Sequence, residues 1–138
     1  MLGLIVASHG NLSKELIKSS YLIFGQQEKV VAVTFEPAED INSLKDKYKT
    51  NLKKFAADDR IIFLCDLYGG NPLLATKDFV TNDEKRFAAI GGVNLAMLIE
   101  AYTLRESKAP LAEIVDHLVA VGKSGINSVR NLEPLEWM

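Results

Sequence analysis

Leu2-Gly3-Leu4-Ile5-Val6-Ala7-Ser8-His9-Gly10 passes from an apolar run into a short polar turn. Its apolar part, Leu2 to Ala7, is short, rich in branched residues and ends at a turn, which predicts a strand buried on both faces. Asn11-Leu12-Ser13-Lys14-Glu15-Leu16 then opens a helix. His9 is therefore expected at the carboxyl end of a strand, beside a helix N-terminus. In open α/β sheets that edge is where ligands bind, and helix N-termini favour anions such as phosphate.

Outward from this stretch, strand-like and helix-like segments alternate. A helix over Leu12–Phe24 is stopped by Gly25, a residue suited to the position past a helix end. Val30–Phe35 is β-branched and predicts a second strand, broken by Pro37. Asp40 is placed to cap a helix whose apolar residues Ile41, Leu44, Tyr48, Leu52 and Phe55 fall three or four apart. Its lysines, Lys45, Lys47, Lys49, Lys53 and Lys54, read as a solvated face.

Ile61–Cys65 predicts a third strand, apolar on both faces. Asp66-Leu67-Tyr68-Gly69-Gly70-Asn71-Pro72 should turn into a helix of about ten residues, with Asn71 as its cap and Pro72 first inside it. A short strand over Phe87–Ile90 leads through Gly91-Gly92-Val93-Asn94 to a helix over Leu95–Leu104. Pro110 opens a further helix through Ala120, followed by Gly122. Ile126–Leu132 reads as a short strand, with apolar Leu135 and Trp137 beyond it. The alternation implies an α/β fold: a doubly wound, mostly parallel sheet with helices on both faces.

The chain has 138 residues, 48% hydrophobic, enough for one domain over 1–138 with a core in roughly residues 1–120. A net charge of −2 argues against nucleic acid as a partner. No apolar run approaches the roughly 20 residues of a membrane span, and no leader pattern opens the chain; a cytoplasmic protein is expected. Cys65, the lone cysteine, lies in an apolar run and reads as a buried, inert thiol. With two histidines, one cysteine and no ligand spacing, no metal site is expected, and no cofactor is implied. His117, among Ile114, Val115, Leu118 and Val119, reads as structural or surface.

In the flavodoxin-like strand order 2-1-3-4, the turns after the first, third and fourth strands converge on one edge. His9 and Asp66 then come within reach. A carboxylate beside a histidine accepts the N–H of one ring nitrogen and leaves the other bare as a nucleophile. Gly69 and Gly70 let the backbone approach a ligand closely. Asn94 reads either as a helix cap or as a substrate contact. Ser8 lacks the G-x-S-x-G context of a hydrolase nucleophile. An aspartyl-phosphate receiver would need acidic residues where Ser8-His9-Gly10 stands.

Three motifs in order, Leu4–Gly10, Asp66–Pro72 and Gly91–Leu98, together resemble the enzyme IIA component of the mannose family of the bacterial phosphoenolpyruvate-dependent sugar phosphotransferase system. The resemblance covers about residues 1–120. It implies that His9 accepts a phosphoryl group from the phosphocarrier HPr and passes it to enzyme IIB, with membrane permease components acting further along. It implies that Asp66 orients His9, and that Gly10 and the backbone of Leu67, Tyr68, Gly69, Gly70 and Asn71 receive the phosphoryl oxygens. Ser8 and Asn94 stand as neighbours of that site. The sheet order 2-1-3-4, and a dimer exchanging a C-terminal strand within residues 122–138, follow from the same resemblance. Asn71 departs from the family's usual serine. The alternatives are a phosphoryl donor subunit for a dihydroxyacetone kinase and a non-enzymatic regulatory phospho-domain; the Gly69-Gly70-Asn71-Pro72 run favours the sugar-transport branch.

Overall fold

The computed structural model describes residues 1–133. Four strands, β1 (Leu2–His9), β2 (Val30–Phe35), β3 (Arg60–Cys65) and β4 (Phe87–Gly91), form one parallel sheet in the order β2-β1-β3-β4. The expected order is thus the observed one. Six helices connect and cover the strands: α1 (Leu12–Phe24), α2 (Ile41–Leu52), α3 (Asn71–Leu74), α4 (Lys77–Asn82), α5 (Leu95–Thr103) and α6 (Leu111–Ser124).

The central strands sort their side chains by parity, as a pleated strand must. Leu4 and Val6 of β1, with Ile62 and Leu64 of β3, pack under Ile17 of α1, Leu98 of α5 and Leu118 of α6. Ile5 and Ala7, with Phe63 and Cys65, face Leu44 and Tyr48 of α2 and Phe87. Cys65 is buried as expected, and burial pushes its thiol up to about 12. Parity sends Ser8 toward α1, and His9 toward the side of α2 and α3.

The start of α1 shows what Ser8 does. Its buried hydroxyl donates to the Gly10 carbonyl at 2.9 Å and accepts from the Ser13 N–H at 2.7 Å. Ser13 in turn donates to the Val33 carbonyl at 3.1 Å. Asn11, at the cap position, makes no side-chain cap bond, so Ser8 supplies the acceptor that the helix start needs. Asp40 caps α2 as predicted, in a reciprocal arrangement with Ser43.

Four expectations need correction. The helix expected after Pro72 is two short ones, α3 and α4, and its cap is Gly70, with Asn71 already the first helical residue. The break has a cause in Tyr48, whose buried hydroxyl donates to the Pro72 carbonyl at 2.6 Å. The Thr76 N–H then turns to the Leu73 carbonyl at 3.0 Å, three residues back. Gly122 lies inside α6 rather than after it: a Cβ there would fall 2.7 Å from Met97 Cε, so the glycine lets α5 and α6 pack closely. Ile126–Leu132 holds no strand; Val129–Asn131 forms a 3-10 turn capped by Ser128. Leu135 and Trp137 lie outside the described residues.

Candidate functional site

His9 is the last residue of β1, and Asp66 is the first beyond β3. The Asp66 N–H donates to the Ala7 carbonyl at 3.0 Å and continues the ladder one step. The next step is taken over by a side chain. Asp66 Oδ2 accepts both from the His9 backbone N–H, at 2.9 Å, and from His9 Nδ1, at 2.9 Å. An ionised carboxylate only accepts, so Nδ1 carries a hydrogen, and in the neutral ring Nε2 keeps its lone pair. Nε2 has no hydrogen-bond partner among the described residues. The histidine side chain is 45% exposed and that of Asp66 only 11%. A buried anion thus orients an accessible imidazole. Asp66 Oδ1 is buried without a hydrogen-bond partner among the described residues.

Two further groups hem the ring in. The Phe35 ring stands edge-on to it, centroids 5.8 Å apart at 80°. On another side is Gly70, where a Cβ would fall 2.9 Å from His9 Cε1. Neither contact is visible as a motif.

The turn 66–70 links Asp66 to the start of α3. Gly69 takes a positive φ of 84°. The backbone N–H groups of Leu67, Tyr68 and Gly69 have no partner among the described residues, whereas that of Gly70 closes the turn onto the Leu67 carbonyl at 3.2 Å. Leu67 and Tyr68 are exposed, and so is Asn71, whose side chain makes no hydrogen bond among the described residues. The β4 end buttresses this turn: the N–H groups of Gly92 and Val93 both donate to the Cys65 carbonyl at 2.9 Å. A Cβ on Gly91 would fall 2.7 Å from Tyr68 Cα, so only glycine allows that approach. Gly10 turns the chain after His9 and donates its N–H to the Phe35 carbonyl at 2.9 Å.

The structure therefore gathers His9, Gly10 and Asp66–Asn71 at one edge. Asn94 joins no contact with them. Its Oδ1 accepts from the Met97 N–H at 3.0 Å and its Nδ2 donates to the Gly122 carbonyl at 2.8 Å, so its amide caps α5 and ties it to α6. Ser8 lies behind His9 with its hydroxyl committed to the α1 start. His117 is half-exposed and pairs with Glu100 across α5 and α6. Among the described residues no group of three or more His, Cys, Asp or Glu side chains could hold a metal ion. No helix there is long and apolar enough to cross a membrane.

A nucleophilic nitrogen, oriented and exposed beside unpaired backbone N–H groups, can carry an anionic group. Comparisons with known proteins identify the family. The family model described as PTS system fructose IIA component (EIIA-man) matches residues 3–119. The fructose-specific EIIA component of Bacillus subtilis is 35% identical over 123 residues, 89% of this chain and 83% of that protein. The mannose-specific EIIAB component of Escherichia coli K12 is 30% identical over 135 residues; the match takes in 98% of this chain but only 41% of that longer protein. The crystal structure of the EIIA component from Streptococcus agalactiae superposes with a TM-score of 0.85 at 27% identity, covering 96% of this chain and all of that one, 100%. The mannose/sorbose-specific IIA subunit from Enterococcus faecalis gives 0.81 at 26% identity, covering 96% and 97%. The chain belongs to the EIIA-man family and is a phosphotransferase, a phosphoryl carrier that works with the other components of a sugar phosphotransferase system.

Proposed function

We propose that the carrier atom is Nε2 of His9, that the phosphoryl donor is the phosphocarrier HPr, and that the acceptor is a histidine of a cognate enzyme IIB. The observation that carries this reading is the bond from His9 Nδ1 to Asp66 Oδ2 at 2.9 Å, which fixes the tautomer and leaves Nε2 bare at the surface. In transfer, the Nε2 lone pair attacks phosphorus as the bond to the donor nitrogen breaks. Asp66 meanwhile supports the positive charge that develops on the imidazole.

The unpaired N–H groups of Leu67, Tyr68 and Gly69 would receive the phosphoryl oxygens, with the Asn71 amide supplying the donor that the family's serine hydroxyl otherwise offers. The like charge of Asp66 behind the ring keeps the phosphohistidine labile and suits it to handing the group on. We read residues 1–138 as one such carrier domain, acting in the cytoplasm as a homodimer. The exposed apolar residues Ile126, Val129 and Leu132 after α6 support a partner there.

Nitrogen-15 NMR of the phosphorylated protein tests the atom assignment. The phosphorus coupling is expected at Nε2 of His9, with Nδ1 still protonated. Coupling at Nδ1, or at another residue, would refute it.

A further inference from the structure

We propose that Phe35 is a positioning residue for His9: its ring sets the direction in which Nε2 presents its lone pair. The inference rests on His9 being the phosphoryl acceptor. Asp66 holds the imidazole at one atom, Nδ1, and a half-exposed ring can still swing by small coupled rotations about Cα–Cβ and Cβ–Cγ that keep that bond. Something else has to stop that swing.

The parallel register supplies it. Phe35, the last residue of β2, pairs with His9, the last of β1, and both fall on the same face of the sheet. Side chains of register partners on neighbouring parallel strands stand about 4.8 Å apart, so the two rings meet. They do so edge-on, at 5.8 Å and 80°, a favoured geometry for aromatic pairs. Phe35 is itself well anchored. It packs against the cluster that contains Tyr48 and Phe63, and its carbonyl accepts the Gly10 N–H at 2.9 Å. With Gly70 close to Cε1, the imidazole has walls as well as a tether.

An aliphatic side chain of similar bulk keeps the core filled but removes the flat wall. Phe35→Leu is therefore the informative variant and Phe35→Tyr its rescue. With phospho-HPr as donor, Phe35→Leu is expected to lower kcat for phosphoryl transfer about tenfold, the scale of a sub-ångström misplacement, with KM for HPr unchanged. Phe35→Tyr should restore kcat.

Imidazole NMR of the unphosphorylated protein, above the ordinary imidazole titration range, gives a readout that a merely stabilising role would not move. The wild type and Phe35→Tyr should show one sharp set of imidazole signals, and Phe35→Leu exchange-broadened ones with Nδ1 still protonated. Unchanged kcat with an unchanged His9 spectrum in Phe35→Leu would overturn the proposal. So would a rise in KM alone, which would make Phe35 a docking contact, or a failure of Phe35→Tyr to rescue. If wild-type His9 takes no phosphoryl group while its spectrum still changes in Phe35→Leu, the carrier reading fails and the positioning stands.

Discussion

Gly70→Ala should separate activity from stability. A Cβ at this position would lie 2.9 Å from His9 Cε1, whereas carbon atoms rest at about 3.5–4.0 Å. The ring must therefore retreat by about 0.6–1 Å, away from the turn whose N–H groups would receive the phosphoryl oxygens. It cannot do so freely, because Nδ1 is bonded to Asp66 and Phe35 stands against it. A misplacement of about 1 Å costs on the order of 100-fold in rate, so phosphoryl transfer should fall by about 10- to 100-fold.

Stability should move the other way in the same variant. Gly70 has φ −78° and ψ 166°, a conformation open to alanine, and its other near contacts, Leu67 Cβ and O, are at an ordinary 3.5 Å. Alanine reduces the freedom of the unfolded chain, worth about 0.4–1 kcal/mol. Rapid-quench transfer from phospho-HPr, beside a thermal melt, measures both effects. A slow variant with an unchanged or raised Tm is expected. A variant transferring at the wild-type rate would mean that His9 is not seated against Gly70.

Three more substitutions, at Asp66, Tyr48 and Asp59, have expected outcomes. Asp66→Ala removes the acceptor that holds the reacting ring at Nδ1; at about 1.5–3 kcal/mol for that one bond to a charged group, labelling of His9 should slow by about 10- to 100-fold yet still reach completion, as a time course of intact mass would show. Tyr48→Phe leaves the buried Pro72 carbonyl without its donor, a loss of about 1–3 kcal/mol; urea unfolding should show it, and an unchanged midpoint would mean that the α3–α4 break has another cause.

Asp59 lies buried at the far edge of the sheet. Burial raises its carboxyl, but Lys29 at 2.7 Å, the Ala56 N–H at 2.8 Å and the N-terminal ammonium at 3.4 Å outweigh that and hold it below the ordinary carboxylate value. A folded-state pKa below the unfolded one means that the unfolded chain binds more protons as the pH falls. Its contribution is full above the unfolded value of about 3.9 and is lost as the pH drops through the folded one. Thermal melts in acid should show Asp59→Asn less stable near neutrality, with a shallower acid dependence; parallel curves would contradict this.

The four strands were legible because each is a local signal, whereas their order, and with it the meeting of His9 with Asp66, followed from the family resemblance. Apolar runs of strand length ending in Ser8-His9-Gly10 and in Asp66-Leu67 mark where two strands stop and the chain turns. What the sequence hid depends on distant groups. At the break between α3 and α4 a hydroxyl on α2 takes the Pro72 carbonyl, and the Thr76 hydroxyl donates to the Leu73 carbonyl at 2.7 Å; only the second is local to residues 71–82. Gly122 looks like a helix end, yet it is a contact point that exists only once Met97 of α5 is in place. Ile126–Leu132 has apolar residues but no neighbouring strand in the described chain, so it takes a local 3-10 turn. Ser8 read as a neighbour of the site because it precedes His9; strand parity, applied strictly, would have turned it toward α1. The same parity, with the register of β2, would have placed Phe35 beside the imidazole.

The most direct test is intact mass after incubation with phosphoenolpyruvate, enzyme I and HPr, beside a His9→Ala control. The expected result is the gain of one phosphoryl group, absent from His9→Ala and lost on mild acid treatment. An equal gain in His9→Ala, or no gain with active HPr, would contradict the assignment of His9 as the carrier.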